Sequence, residues 1–312
     1  MKILVLGAGG IGGYFGGRMA DAGVDVTFLV RPRRREQLER DGLNVTSPFG
    51  DMHIPVKAIT AEELTADFDV VFLACKAYDL DSAMVAIAPA MRGACRVIPM
   101  LNGMAHLEQL DERFGRASVM GGSCAINVTL DKKGTIEHTG ALQRIAFGER
   151  HEAQTETAKA FAAELARTAL EWQHAEDIEQ NMWDKIVFLS ALAAMTCLFR
   201  ANIGEIMSGG GHGPVTRTLE ANLAIAKAEG HTVAQPWLEF SRDRLTDPNG
   251  AWSASMLYDM EIGARVESDH IVGWMLNKAR QHGIDDAMLS LAFTHLKSYE
   301  ARRAADRLPA RQ

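Results

Sequence analysis

The chain has 312 residues, is 47% hydrophobic and 23% charged, and carries a formal net charge of −7. That length and ordinary globular composition predict two domains with real cores. The acidic balance excludes a general nucleic-acid binder, which needs a basic surface to neutralise phosphates. Cysteines occur at 75, 95, 124 and 197 with no CxxC pair, so neither a zinc site nor a disulfide framework is predicted, and buried thiols in a reducing compartment are expected. The opening run Ile3–Gly7 is too short for a signal-peptide core, and the apolar run Ile186–Phe199 is short for a membrane span. The expectation is a soluble, cytoplasmic protein.

From residue 1 to about 150, short apolar runs alternate with helical periods. Ile3–Leu6, Val24–Val30, Val70–Ala74 and Arg96–Pro99 read as strands, and Ile11–Ala22, Arg34–Asp41, Asp79–Ala88 and Ala105–Phe114 as helices. Strand–helix alternation predicts a parallel sheet covered on both faces, and Val70-Val71-Phe72-Leu73 has the continuous apolar character of a doubly buried strand. The runs 118–129, 134–139 and 142–147 read as three antiparallel strands closing that sheet, followed by a helix over 154–167 and a strand at Leu170–His174. Beyond residue 176 helical periods dominate, at 178–199, 215–230, 234–245, 253–263, 267–282 and 285–303. The glycine-rich stretch Ser208–Pro214 lacks a preceding strand and the Lys-Ser/Thr of a P-loop, so it reads as a helix connector. The charged tail from Ala301 to Gln312 is expected to fray. The predicted fold class is α/β: a Rossmann-like NADP-binding domain over 1–175, then an all-α domain over 176–312.

Gly7-Ala8-Gly9-Gly10-Ile11-Gly12 contains G-x-G-x-x-G between a strand and a helix, with a second strand within about 30 residues. Gly7 permits the tight turn, Gly9 lets backbone approach a pyrophosphate, and Gly12 allows close helix–strand packing. The helix starting near Gly10 and Ile11 would aim its free N–H groups at the phosphates. After the second strand comes Arg31-Pro32-Arg33-Arg34-Arg35, with no carboxylate before Glu36. An acidic residue there would bind a ribose 2′-hydroxyl; arginines suit a 2′-phosphate, so NADP(H) is the predicted cofactor, with Arg31 as clamp and Arg33 or Arg34 assisting. Lys76 and Asn102 lie in loops after the third and fourth predicted strands, placed to reach cofactor phosphate, nicotinamide ribose or substrate.

GAGGIGG from residue 7, CKAYD at 75–79, LNGM at 101–104, NMWDKI at 181–186 and SMLYDMEIGARVESDHIVG at 255–273 together resemble the ketopantoate reductase family, in order along essentially the whole chain. The resemblance implies reduction of 2-dehydropantoate to (R)-pantoate with NADPH, in pantothenate and coenzyme A biosynthesis. It implies that Gly7, Ala8, Gly9, Gly10, Ile11 and Gly12 bind the pyrophosphate, that Arg31 holds the 2′-phosphate, and that Lys76 lies beside the cofactor. It makes Lys185 the catalytic residue, has Asn102 and Glu267 contact the cofactor, and has Asn102, Lys185 and Ser255 contact substrate; Asp259 is structural. A homodimer follows by the same analogy. The family's substrate asparagines four and eight residues after the lysine are Leu189 and Ala193 here, and the one three residues before Ser255 is Trp252. Asn202 lies one position from a fourth. The alternative is therefore a paralogue reducing another 2-oxo acid or ketone; a non-catalytic NADP(H) sensor is a third reading, opposed by Lys185, Asn102 and Glu267.

Overall fold

The computed structural model describes residues 1–308. The chain forms two compact units: Met1–Leu101 with His106–Glu179, and Asn102–Ala105 with Gln180 onward.

The first unit holds β1 (Lys2–Leu6), α1 (Gly10–Asp21), β2 (Asp25–Leu29), α2 (Pro32–Asp41), β3 (Leu43–Thr46), β4 (Met52–Ile54), β5 (Lys57–Ile59), β6 (Val70–Leu73), α3 (Leu80–Ile87), β7 (Arg96–Pro99), α4 (Ala105–Phe114, its first residue in the second unit), β8 (Gly121–Leu130), β9 (Ile136–Gly148), α5 (Thr155–Leu165) and β10 (Glu171–His174). One sheet is parallel in the order β5-β2-β1-β6-β7. Its strands β1 and β6 are almost wholly buried, as apolar runs without polar alternation require. The fold is Rossmann-like in this unit, as predicted.

Two expectations need correction. Residues 118–147 do not close the parallel sheet. β8 and β9 pair along their lengths, and β9 pairs in parallel with β10 and β3 on its other edge, giving a second sheet. With both edges of β9 occupied, a single bridge among the described residues, Val97–Val119, joins this segment to the first sheet. Nor are there two strands around Gly140; β9 runs unbroken for 13 residues. The register shifts between Ile126 and Val128, and a Cβ on Gly140 would meet that of Asn127 at 3.1 Å. Gly140 thus accommodates a bulge rather than ending a strand. Strands β3, β4 and β5 have no counterpart in the sequence reading; at three or four residues between Pro48, Gly50 and Pro55 they show no periodicity.

Helix α1 packs against side chains of both sheets through a stripe of small residues. Cβ atoms at Gly12, Gly16, Gly13 and Gly17 would meet Val5, Phe28, Ile136 and Leu43 at 3.3 Å or less. A continuous core results, running from Ile3, Phe28 and Phe72 through Tyr14 and Phe15 to Ile136, Phe147 and Phe161.

The second unit is helical: α6 (Ile178–Phe199, its first two residues in the first unit), α7 (Ile203–Ser208), α8 (His212–Ala228), α9 (Gln235–Leu245), α10 (Ser255–Glu261), a π-turn at Asp269–Gly273, α11 (Trp274–His282) and α12 (Ala287–Ala304). The short α7 escaped the sequence reading. Asn202 caps it, accepting a hydrogen bond from Glu205 N at 2.9 Å while Glu205 returns one to Asn202 N. The glycine connector spans only Gly209–Gly211, because α8 already begins at His212. Helix α6 is long and apolar enough to cross a membrane, but its apolar window is 78% buried inside the protein, as a core helix is. Residues 309–312 of the charged tail lie outside the described residues.

Candidate active site

In the first unit, the glycine turn follows β1 directly. Gly7 has φ +88, and its N–H donates to Leu29 O at 2.9 Å, linking the turn to the end of β2. A Cβ at Gly12 would lie 2.3 Å from Gly7 O, so only glycine allows this closeness of helix and turn. Gly7 and Gly9, by contrast, have open space where a Cβ would stand. That space lies at the N-terminus of a 12-residue helix, where unpaired N–H groups and the dipole favour an anion. A pyrophosphate fits there.

Arg31 caps α2 at the end of β2 and is 82% exposed, in reach of a ligand. Its guanidinium lies 3.8 Å from the carboxylate of Asp79. Asp79 closes the CKAYD segment, in which exposed Lys76 precedes a single 3-10 turn. The ends of β2 and β6 therefore bring Arg31 and the Lys76 loop side by side.

Arg33 is exposed, but Arg34 is used differently. Its Nη2 donates to Ala8 O at 2.9 Å, inside the glycine turn, and both Nη atoms donate to Gly134 O at 3.2 Å in the β8–β9 turn. Nη1 also donates to Gln37, whose amide in turn donates to Lys133 O. Burial pulls the Arg34 pKa below the usual arginine value, and Asp131 partly offsets this. Arg34 is thus a brace between phosphate turn and hairpin rather than an open phosphate ligand. The sequence shows four arginines of one type; only the fold separates the outward from the inward ones.

In the second unit, Lys185 Nζ donates to Asn102 Oδ1 at 3.1 Å, joining residues 83 apart in sequence. The Asn102 loop is fixed next to the π-turn: Gly103 has φ +86, and a Cβ there would meet His270 O at 2.5 Å. Glu267 is buried just before that turn. Along α6 from Met182 to Cys197, every residue is buried except Lys185 and Leu189, which sit one turn apart. Below the lysine, Trp183 stacks with His231 and packs on Trp274, both at 5.3 Å between ring centroids. Asp184 accepts from Gln180 Nε2 at 2.8 Å, and the helix is held in rotation about its axis by these contacts.

Ser255 is the exposed first residue of α10, and Ala254 N donates to Thr196 Oγ1 on α6 at 3.4 Å. Asp259, half-buried on α10, has a carbonyl that accepts from Ala264 N at 2.7 Å. Ala193 is fully buried, so that position faces the core. All four cysteines are thiols; Cys95, Cys124 and Cys197 are buried, and burial pushes Cys95 and Cys197 up to about 12. Among the described residues no cluster of three His, Cys, Asp or Glu could hold a metal ion.

A glycine turn on a parallel sheet with an arginine past the second strand, and a lysine paired with an asparagine in a helical unit, define a dinucleotide-dependent oxidoreductase. Residues 3–152 match the profile of the ketopantoate reductase PanE/ApbA family, and residues 177–300 match that of its C-terminal part. The chain is 37% identical over 304 residues to a Bacillus subtilis (strain 168) protein described as uncharacterized oxidoreductase YkpB, covering 97% of this chain and 100% of that one. It is 26% identical over 287 residues to a 2-dehydropantoate 2-reductase of Halobacterium salinarum, covering 91% and 94%. It shares its fold with D-mandelate dehydrogenase, in a structure with NADH and anilino(oxo)acetate, at a TM-score of 0.86, 18% identity and coverage of 97% and 99%. The chain belongs to the ketopantoate reductase family. It is an NADP-dependent oxidoreductase acting on CH–OH groups.

Proposed function

We propose that the protein reduces a 2-oxo acid to the 2-hydroxy acid with NADPH, with 2-dehydropantoate as the reference substrate, and that Lys185 donates the proton. The observation that carries this is the Lys185–Asn102 hydrogen bond on the half-open face of α6.

A bound reduced nicotinamide supplies the hydride. As the carbonyl carbon gains it, negative charge develops on the oxygen. The Lys185 ammonium stabilises that charge and gives up one proton, leaving a neutral amine and the hydroxyl product. Because Lys185 is only half-buried, solvent can return the proton. Asn102 accepts one N–H of the ammonium and so holds the lysine head group in position. Gly7–Gly12 would cradle the pyrophosphate, Arg31, now 3.8 Å from the Asp79 carboxylate, would hold the 2′-phosphate, and Lys76 would add a second cation. Ser255 is a substrate contact, and Glu267 borders the cofactor. A homodimer in the cytoplasm serving pantothenate biosynthesis accompanies this reading.

Lys185→Ala tests it. Loss of a positioned general acid should cost about 10²–10⁴ in kcat, while the NADPH dissociation constant changes less than twofold. Turnover close to wild type would sink the assignment.

A second reading is favoured by Leu189, Ala193 and Trp252: the substrate is a different 2-oxo acid, one without a hydroxyl to be gripped.

A further inference from the structure

Along the face of α6 that opens at Lys185, the half-buried side chain one turn back is Asn181 and the one a turn on is Leu189. A substrate held at Lys185 therefore meets methyl groups one turn on, where a hydroxyl would lose its water partners and gain none. Next to Leu189, Phe188 joins an aromatic cluster. Its ring lies 5.2 Å from Phe240 and 6.0 Å from Trp252, the latter edge-on at 86°. Trp237 and Trp252 in turn meet Phe240 edge-on at 5.4 and 6.1 Å. The Arg244 guanidinium covers Phe240 and Trp252 at 5.8 and 5.6 Å, a cation–π arrangement that stiffens both rings.

Three of these rings, Trp237, Phe240 and Trp252, are only half-buried. Incompletely covered aromatic surface is unfavourable in water and marks sites that receive an apolar group. Phe188 and Leu189 follow Lys185 by three and four residues on α6, and Trp252 precedes Ser255 by three, so the cluster adjoins that stretch of the helix through Phe188. The cluster is also chemically selective. Edge-to-face geometry with its neighbours leaves ring faces and edges to pair with another ring, an attraction beyond area burial alone.

We propose that the substrate is an aromatic 2-oxo acid, its keto oxygen at Lys185 and its ring against Leu189, Phe188 and Trp252. This rests on the reading of Lys185 as proton donor to a 2-oxo acid. The hydride adds to C2, the Lys185 proton goes to the oxygen, and the aromatic 2-hydroxy acid leaves.

The test measures kcat/KM for NADPH oxidation by full-length protein with phenylglyoxylate, phenylpyruvate, 3-methyl-2-oxobutanoate and ketopantoate. One of the two aromatic acids should exceed ketopantoate at least tenfold. Leu189→Asn, at a half-exposed position that tolerates a polar group, should narrow that preference at least tenfold, and Trp252→Phe should retain most of it. If ketopantoate or the aliphatic acid is preferred, the aromatic proposal falls while the Lys185 chemistry stands. If none of the four is reduced, the underlying 2-oxo acid reading falls, and this proposal with it.

Discussion

Gly9 and Gly12 belong to one motif but should fail in different ways when given a methyl group. A Cβ at position 12 would stand 2.3 Å from Gly7 O, with Ala74 and Val5 carbons at 3.2 and 3.3 Å, so nothing soft can yield. The helix and turn would have to part by about 0.7 Å or more, the kind of overpacking that costs about 1–3 kcal/mol. Gly12→Ala should therefore lower Tm by several degrees before any ligand is added. Gly9 is at φ −86 and ψ −163, an ordinary extended conformation, and a Cβ there has nothing within 4 Å. Gly9→Ala should leave Tm unchanged within about a degree, since exchanging Gly for Ala at an N-cap shifts helix stability only modestly. Its methyl would nonetheless occupy the space a pyrophosphate approaches. NADPH should bind at least about tenfold more weakly, or about 1.4 kcal/mol. Scanning fluorimetry without ligand and calorimetric titration with NADPH separate the two effects. Wild-type NADPH affinity in Gly9→Ala would refute the placement of the phosphates, and an unchanged Tm in Gly12→Ala would refute the packing argument.

Arg31→Ala should weaken NADPH at least tenfold more than NADH, with Tm unaffected because its exposed contact to Asp79 contributes little; equal effects on both cofactors would remove the 2′-phosphate assignment. Arg34→Ala removes charge-assisted bonds to Ala8 and Gly134, each worth about 1.5–3 kcal/mol at most. It should raise KM for NADPH about tenfold with kcat within twofold, and Arg34→Lys should restore part of the loss; an unchanged KM would show that the turn holds its shape unaided. His138 is buried, its Nδ1 2.9 Å from Ser47 Oγ and its Nε2 3.0 Å from Leu142 O. Burial, together with Arg18, holds its pKa below the usual value of 6.5, whereas the unfolded chain takes up the proton near that pH. Stability from this residue is then full above about pH 6.5 and declines as pH falls below it. Tm measured from pH 8 to 5 should show that decline, and a His138→Phe variant with the same slope would exclude His138 as its source.

Much of the cofactor half was legible because local rules write it. Gly7 to Gly12, the buried apolar run of β6 and the arginine at 31 each declare themselves within a few residues of chain. Most helices of the second unit were also readable, α6 to both its ends because its apolar period is long, though the six-residue α7 was not. Three long-range features were not. The second sheet depends on which edges of β9 are filled, a long-range pairing with no trace in the run 118–147. The distinction between Arg31 and Arg34 depends on where α2 turns each side chain, and on a hairpin 100 residues away. The aromatic cluster draws Phe188, Trp237, Phe240 and Trp252 from α6, α9 and the segment before α10, and no spacing in sequence connects them.

By itself, then, the sequence determined the kind of cofactor, since backbone geometry and side-chain charge are properties of a few adjacent residues, and its family resemblance singled out Lys185 as the candidate proton donor. Tertiary structure alone decided what surrounds them: that Lys185 meets Asn102, that Ala193 faces the core while Leu189 is half-buried, and that Phe188, Trp237, Phe240 and Trp252 gather into one cluster. Those are matters of burial and of contact between distant segments, which a residue acquires only when the chain has folded around it.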